Sequence, residues 1–326
     1  TGEMKSDTRK RIDSLIQSLE YRGSSTLKAW IALLEAFEKE KEEKGFVDWM
    51  GIERIEGQAI DVGLFRHYVD PMRPFSASLR PHLHGTAMTS ATLCDEDQDW
   101  QCAFERTGVQ YMSGQISEKN FASPFDYKNN SKVLIITDVN RNDPMQVASA
   151  YKALFQASGG GALGLFTSIQ RLKNTYHKIV NEMEDNEIPL YAQHVDDIDV
   201  GTLIDIFRDE YRACLLGTDA VRDGVDVPGQ SLRLIAFERV PWPRPNILHK
   251  ARREVFGKKR YDEMVTRLKI KQAFGRLIRK EQDRGVFIML DSMFPSRLHS
   301  AFPTDVEIEK LGLSEACSTI KTFLAE

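Results

Sequence analysis

From about Trp100 onward, short apolar runs alternate with segments of helical period. VLIITD (133–138), ALGLFTS (162–168), PLYAQ (189–193), ACLLGT (213–218), SLRLIAFER (231–239) and VFIMLD (286–291) each read as a buried strand. Met145 to Ser158, Ile169 to Glu184 and Asp196 to Asp209 predict helices, and GGG at 159–161 a turn. Strands that are apolar throughout, rather than alternating, belong in a parallel sheet covered on both faces. The first hundred residues follow another pattern. Thr8 to Lys44 predicts helix, closing on the charged run EKEKEEKG at Gly45. Phe46 to Ile60 suggests short strands, Val62 to Tyr68 is ambiguous, and TAMTSATL (86–93) is strand-like. There is no internal repeat, and the acidic DEDQDW (95–100) marks a boundary between Cys94 and Trp100.

Composition narrows the class. With 326 residues and a hydrophobic fraction of 41%, a sizeable core is available. No apolar run approaches the ~20 residues of a membrane span, so no membrane partner is expected. Cys94, Cys102, Cys214 and Cys317 are scattered without CxxC spacing, which argues against a zinc or iron–sulfur site in this chain. They read as reduced thiols of a cytoplasmic protein. Net charge is −4, yet thirteen Lys/Arg against five acids from His249 to Arg284 make that segment +8 and leave −12 elsewhere. Such a stripe is either a solvated helical surface or a local site for a polyanion.

Within the stripe lies QAFGRLIR, 272–279. Read as one helix, it places Gln272, Gly275, Arg276 and Arg279 on one face and Phe274, Leu277 and Ile278 inward. A glycine inside a helix costs roughly 1 kcal/mol relative to alanine, which suits a ligand approaching the backbone. Two guanidiniums and an amide can hold a phosphate and answer charge developing on it. Two arginines on a helix are, by themselves, more often ordinary salt-bridge formers.

The ordered set TSAT, LFTS, GTDAVRDGVDVPG and QAFGRLIR resembles the C-terminal motor motifs of superfamily 2 helicases, and most of all the DinG/XPD group. SPFDY (123–127), VPWPRPN (240–246) and DRGVFIMLD extend the resemblance from about Trp49 to Arg297. It implies a RecA-like α/β parallel sheet with helices on both faces, preceded by a helical N-terminal segment. Residues 1–48 would be the tail of an inserted helical domain, 49–95 the last piece of the first motor domain, and 96–326 the second. The implied enzyme is an ATP-dependent DNA helicase moving on single-stranded DNA. Arg276 and Arg279 would be arginine fingers, with Gln272 beside the nucleotide; Gly224, Asp226 and Gly275 would approach ATP. Thr167, Ser168 and Thr218 would touch nucleic acid, and Thr89, Ser90 and Thr92 would couple the two events. One departure matters: the group usually has an aromatic and Glu before Gly-Val-Asp, and here Val221, Arg222 and Asp223 stand there.

No GxxxxGK[ST] run occurs in these residues; the pair Gly257-Lys258 has Arg252 in the first glycine position and Lys259 after it. The resemblance therefore implies that ATP and Mg²⁺ are held mainly by an N-terminal motor domain of the same full-length protein, where an iron–sulfur cluster can also reside. The isolated chain is then expected to be inactive. Rival readings are a non-catalytic nucleic-acid-binding module and an RNA helicase motor domain. Trp242 reads as a base-stacking platform or as the anchor of a proline-rich turn. DEDQ (95–98) reads as a solvated acidic loop, His82 and His84 as surface, and Cys214, Met88 and Met289 as core.

Overall fold

The strand Ser131–Ile136 shows how the sequence builds its sheet. Side chains alternate across a strand, so Leu134 and Ile136 enter one hydrophobic cluster while Val133 and Ile135 enter another. Both faces are buried, which is why residues 133–136 are apolar at every position. The computed structural model describes residues 6–38, 45–55, 57–95, 99–195, 198–224, 226–227 and 229–325. The chain divides into two compact units, Thr1–Leu83 with Arg244–Lys258, and His84–Pro243 with Lys259–Glu326.

In the first unit, helices span Ser6–Glu20 and Leu27–Glu38, joined by a π-helical turn at Tyr21–Thr26 around Gly23. Glycine and serines in that turn suit a local break in the α ladder. The expected end of this helix at 39–44 lies outside the described residues. The uncertain stretch that follows is a long antiparallel hairpin, β1 (Phe46–Ile55) and β2 (Gln58–Tyr68). Trp49 stacks between Phe65 and His67 across it at 5.1 and 5.0 Å, and such cross-strand aromatic pairs fix register. The helix Ile247–Phe256 completes the unit, with Arg252 donating to the Val69 carbonyl.

The second unit holds the expected α/β fold. β3 (Ser131–Ile136), β4 (Ala162–Leu165), β5 (Leu190–Ala192), β6 (Cys214–Gly217), β7 (Leu234–Phe237), β8 (Gly285–Met289) and β9 (Ile308–Leu311) form one sheet in the order β5-β6-β4-β7-β8-β3-β9. All its pairings are parallel. Helices Pro144–Ser158, Ile169–Glu184 and Leu313–Ala325 cover one face. Helices Val200–Asp209, Asp219–Gly224 and Lys258–Phe274 cover the other. Asp143 caps the first of these helices on the Met145 N–H at 2.8 Å, with Pro144 at its start. Gly159, Gly160 and Gly161 all have positive φ. A Cβ at Gly160 would lie 2.1 Å from the Arg212 carbonyl oxygen, so close backbone approach as well as conformation requires glycine there.

Two expectations fail. TAMTSATL forms no strand: residues 85–90 are irregular, and Thr89 and Ser90 are exposed. Small residues with alternating polarity mimic a strand, but a strand exists only where a neighbour pairs its backbone. Met88 is accordingly half-buried rather than core, whereas Met289 and Cys214 are fully buried. The helix beginning at Val200 is capped by Asp199, and the two residues before Ile198 lie outside the described set.

Candidate nucleotide and nucleic-acid site

The candidate residues occupy opposite ends of the sheet. Thr167 and Ser168 follow β4, and Thr218 follows β6, so all three stand at the carboxyl edge. Arg276 and Arg279 lie in the segment that leads into the amino end of β8. Asn130, just before β3, donates to the Glu281 carbonyl at 3.0 Å and fixes that segment at the amino edge.

The helix expected over 272–279 ends at Phe274. Gly275, Arg276 and Leu277 form a turn, and Arg279 follows in irregular chain. Phe274, Leu277 and Ile278 are buried as expected, so the apolar spacing persists beyond the helix that it suggested. Gly275 is exposed and past the last helical residue, so the helix-interior cost does not apply to it. Asp283 takes over the backbone here. Its buried Oδ2 accepts the N–H groups of Arg279 and Lys280, both at 2.8 Å.

Both guanidiniums contact the end of the helix Asp219–Gly224 or the chain just beyond it. Arg276 Nη2 donates to the Asp223 carbonyl at 3.0 Å, and Arg279 Nη2 pairs with Asp226 Oδ1. Burial first, then the neighbouring Arg279, lowers the Arg276 pKa. The structure thus brings Arg276, Arg279, Asp226 and exposed Gly224 together, with half-buried Gln272 on the adjoining last helical turn. Arg222 accounts for the departure at 222–223. It is buried, and binds Asp219 at 2.7 Å and the Asp223 carboxylate at 2.8 Å. The side chain of position 223 is therefore engaged with its neighbour, and its carbonyl serves Arg276.

At the carboxyl edge, Thr218 is held by a residue the sequence did not single out. Buried Gln193 accepts from the Thr218 N–H at 2.9 Å and from its hydroxyl at 2.8 Å. Thr167 and Ser168 are half-buried, and Ser168 occupies the N-cap position of the helix Ile169–Glu184. Thr92 and Ser90 hydroxyls lie 3.3 Å apart, and Arg106 donates to the Thr92 carbonyl at 2.6 Å; no described contact joins them to either edge.

The acidic run at 95–98 is not a solvated loop at its first residue. Asp95 is buried in a bidentate pair with buried Arg267, because a buried guanidinium needs a carboxylate; Glu96 to Gln98 lie outside the described residues. Asp95, Asp99 and Cys102 approach one another, but that pairing occupies Asp95, and burial, then Asp95, pushes the Cys102 thiol up to about 11. His82 and His84 are exposed. Trp242 is partly exposed, with Arg297 5.8 Å from its ring centre.

As a nucleotide site this group fits one wall only. Two guanidiniums on contacts that solvent can reach suit the outer oxygens of a triphosphate, but no cradle of backbone N–H groups accompanies them among the described residues.

Residues 151–307 match the helicase C-terminal domain family. "3'-5' exonuclease DinG" of Bacillus subtilis is 28% identical over 257 residues, covering 74% of this chain and 27% of that protein. "ATP-dependent helicase DinG" of Mycobacterium tuberculosis is 32% identical over 156 residues, 46% of this chain and 23% of that one. "ATP-dependent DNA helicase YoaA" of Escherichia coli is 29% identical over 224 residues, 65% of this chain and 34% of that one. The matched residues thus span 23% to 34% of the length of these relatives. With the motif order and the parallel sheet already described, these matches make the chain similar, over the residues they cover, to the C-terminal region of DinG-like helicases.

Proposed function

We propose that this chain is the C-terminal motor portion of an ATP-dependent DNA helicase that translocates on single-stranded DNA. In this reading residues 96–326 are the second RecA-like lobe, and an N-terminal motor domain of the same polypeptide holds ATP and Mg²⁺. ATP supplies the phosphoryl group whose transfer to water drives the cycle. Arg276 and Arg279 reach its outer phosphate, Gln272 and the backbone at Gly224 and Gly275 line the nucleotide, and Thr167, Ser168 and Thr218 grip the DNA backbone.

The observation that carries the reading is the contact of Arg276 with the Asp223 carbonyl and of Arg279 with Asp226 through groups open to solvent. An exposed ion pair is worth little, typically under about 1 kcal/mol, so a phosphate can replace Asp226 as the partner of Arg279 at small cost. Removing an arginine finger lowers turnover by roughly 10³–10⁵. Arg276→Ala in the full-length enzyme is expected to reduce DNA-stimulated ATP hydrolysis into that range while DNA still binds. Near-normal turnover would overturn the finger assignment.

A further inference from the structure

Five adjacent strands, β6, β4, β7, β8 and β3, end at the carboxyl edge. Thr218 and Thr167–Ser168 occupy the β6 and β4 positions, and three arginines that the reading above does not employ stand beside them. Arg239 follows β7, Arg141 follows β3, and Arg171 stands on the first turn of the helix behind Ser168. Their guanidiniums converge. Arg171 Nη2 and Arg239 Nη2 both donate to the Arg141 carbonyl, at 2.5 and 3.1 Å. Arg171 Nε and Arg239 Nε share Glu238 Oε1 at 2.5 and 3.2 Å, and Arg141 Nη1 meets both oxygens of Asp291 at 2.6 and 2.5 Å.

The layering has a direction. The Glu238 and Asp291 side chains are 0% and 3% exposed, whereas those of Arg141, Arg171 and Arg239 are 37%, 26% and 31% exposed. Acids lie beneath and cations above, three against two. Nε and Nη2 of Arg141, and Nη1 of both Arg171 and Arg239, have no hydrogen-bond partner among the described residues. Donors held from below and unsatisfied above form a preorganised anion surface, since little freedom is left to lose on binding.

We propose that Arg141, Arg171 and Arg239 form a phosphodiester-binding platform that continues the nucleic-acid path from Thr218 and Thr167–Ser168 across β7, β8 and β3. The proposal rests on the nucleic-acid reading above. Strands about 4.8 Å apart give a row about 19 Å long over five strands, which accommodates several successive phosphates of one strand. The continuity of the arginine cluster with Thr167–Ser168 and Thr218 along one edge favours a polymer over a free anion, and guanidinium forks match phosphate oxygens.

Fluorescence anisotropy of a labelled twenty-nucleotide oligo-dT with this chain, over a range of salt, tests it. Arg239→Gln leaves Arg171 on Glu238 and Arg141 on Asp291. It is expected to weaken binding about tenfold and to flatten the slope of log K against log salt by about 0.7 per lost phosphate contact. Arg54→Gln, which removes the same charge from the hairpin, is expected to leave the slope unchanged. Arg239→Lys keeps the charge and is expected to keep the slope while losing a few-fold of affinity; it also carries the test if Arg239→Gln fails to fold. Wild-type behaviour of Arg239→Gln, or of Arg239→Lys in its place, overturns the platform, as does displacement of the oligonucleotide by orthophosphate at matched ionic strength. A wild-type chain that ignores the oligonucleotide at low salt overturns the nucleic-acid reading as well.

Discussion

The two ends of one sheet hold arginines in opposite ways. At the amino edge, Arg279 and its partner Asp226 have side chains 36% and 68% exposed. At the carboxyl edge, Arg171 and Arg239 rest on a carboxylate that solvent does not reach. The first pair can exchange its partner for a ligand, since water competes for both members. The second cannot, because freeing a buried carboxylate leaves an uncompensated charge. A residue that must answer a nucleotide needs the first arrangement; a surface that must hold a backbone through every step is better served by the second. Number of arginines therefore says less about role than exposure of the acids beneath them.

This contrast has a thermodynamic signature. Glu238→Ala is expected to cost about 3 kcal/mol, the lower end for breaking a buried pair because its arginines are partly solvated; urea unfolding of the chain measures it. Asp283→Ala removes the acceptor for two backbone N–H groups and is expected to cost about 1–3 kcal/mol. In the full-length enzyme it should also lower turnover more than DNA affinity, because the segment it anchors carries Arg279. Asp226→Asn is expected to change stability by less than about 1 kcal/mol in the same urea experiment. A cost for Asp226→Asn equal to that of Glu238→Ala would erase the distinction between the edges.

The parallel sheet was legible because strands buried on both faces leave uninterrupted apolar runs, as in VLIITD and VFIMLD. The triple glycine was legible because positive φ and close backbone approach leave few alternatives. TAMTSATL misled because local alternation says nothing of whether a neighbour pairs with it. The helix over QAFGRLIR was overextended for a related reason. Leu277 and Ile278 keep the apolar period while a turn at Gly275 has already begun, and the carboxylate that organises the turn stands four residues beyond Arg279. Charged partners were the least legible. Arg267 and Asp95 are 172 positions apart, and Arg141 and Asp291 are 150 apart, so a run such as DEDQ reads as solvated until its partner is seen. Gln193 and Glu238 carry no local signal at all; each is one polar residue at the end of a short strand.

On this reading the two arginine groups do separate work, one on ATP and one on DNA. The most direct measurement is ATP turnover by the full-length enzyme as single-stranded DNA is titrated, for Arg276→Gln and Arg239→Gln side by side. Arg276→Gln is expected to abolish turnover at saturating DNA with the half-saturating DNA concentration little changed, and Arg239→Gln to raise that concentration while turnover at saturation stays near wild type. The same loss in both variants, in either quantity, would contradict it.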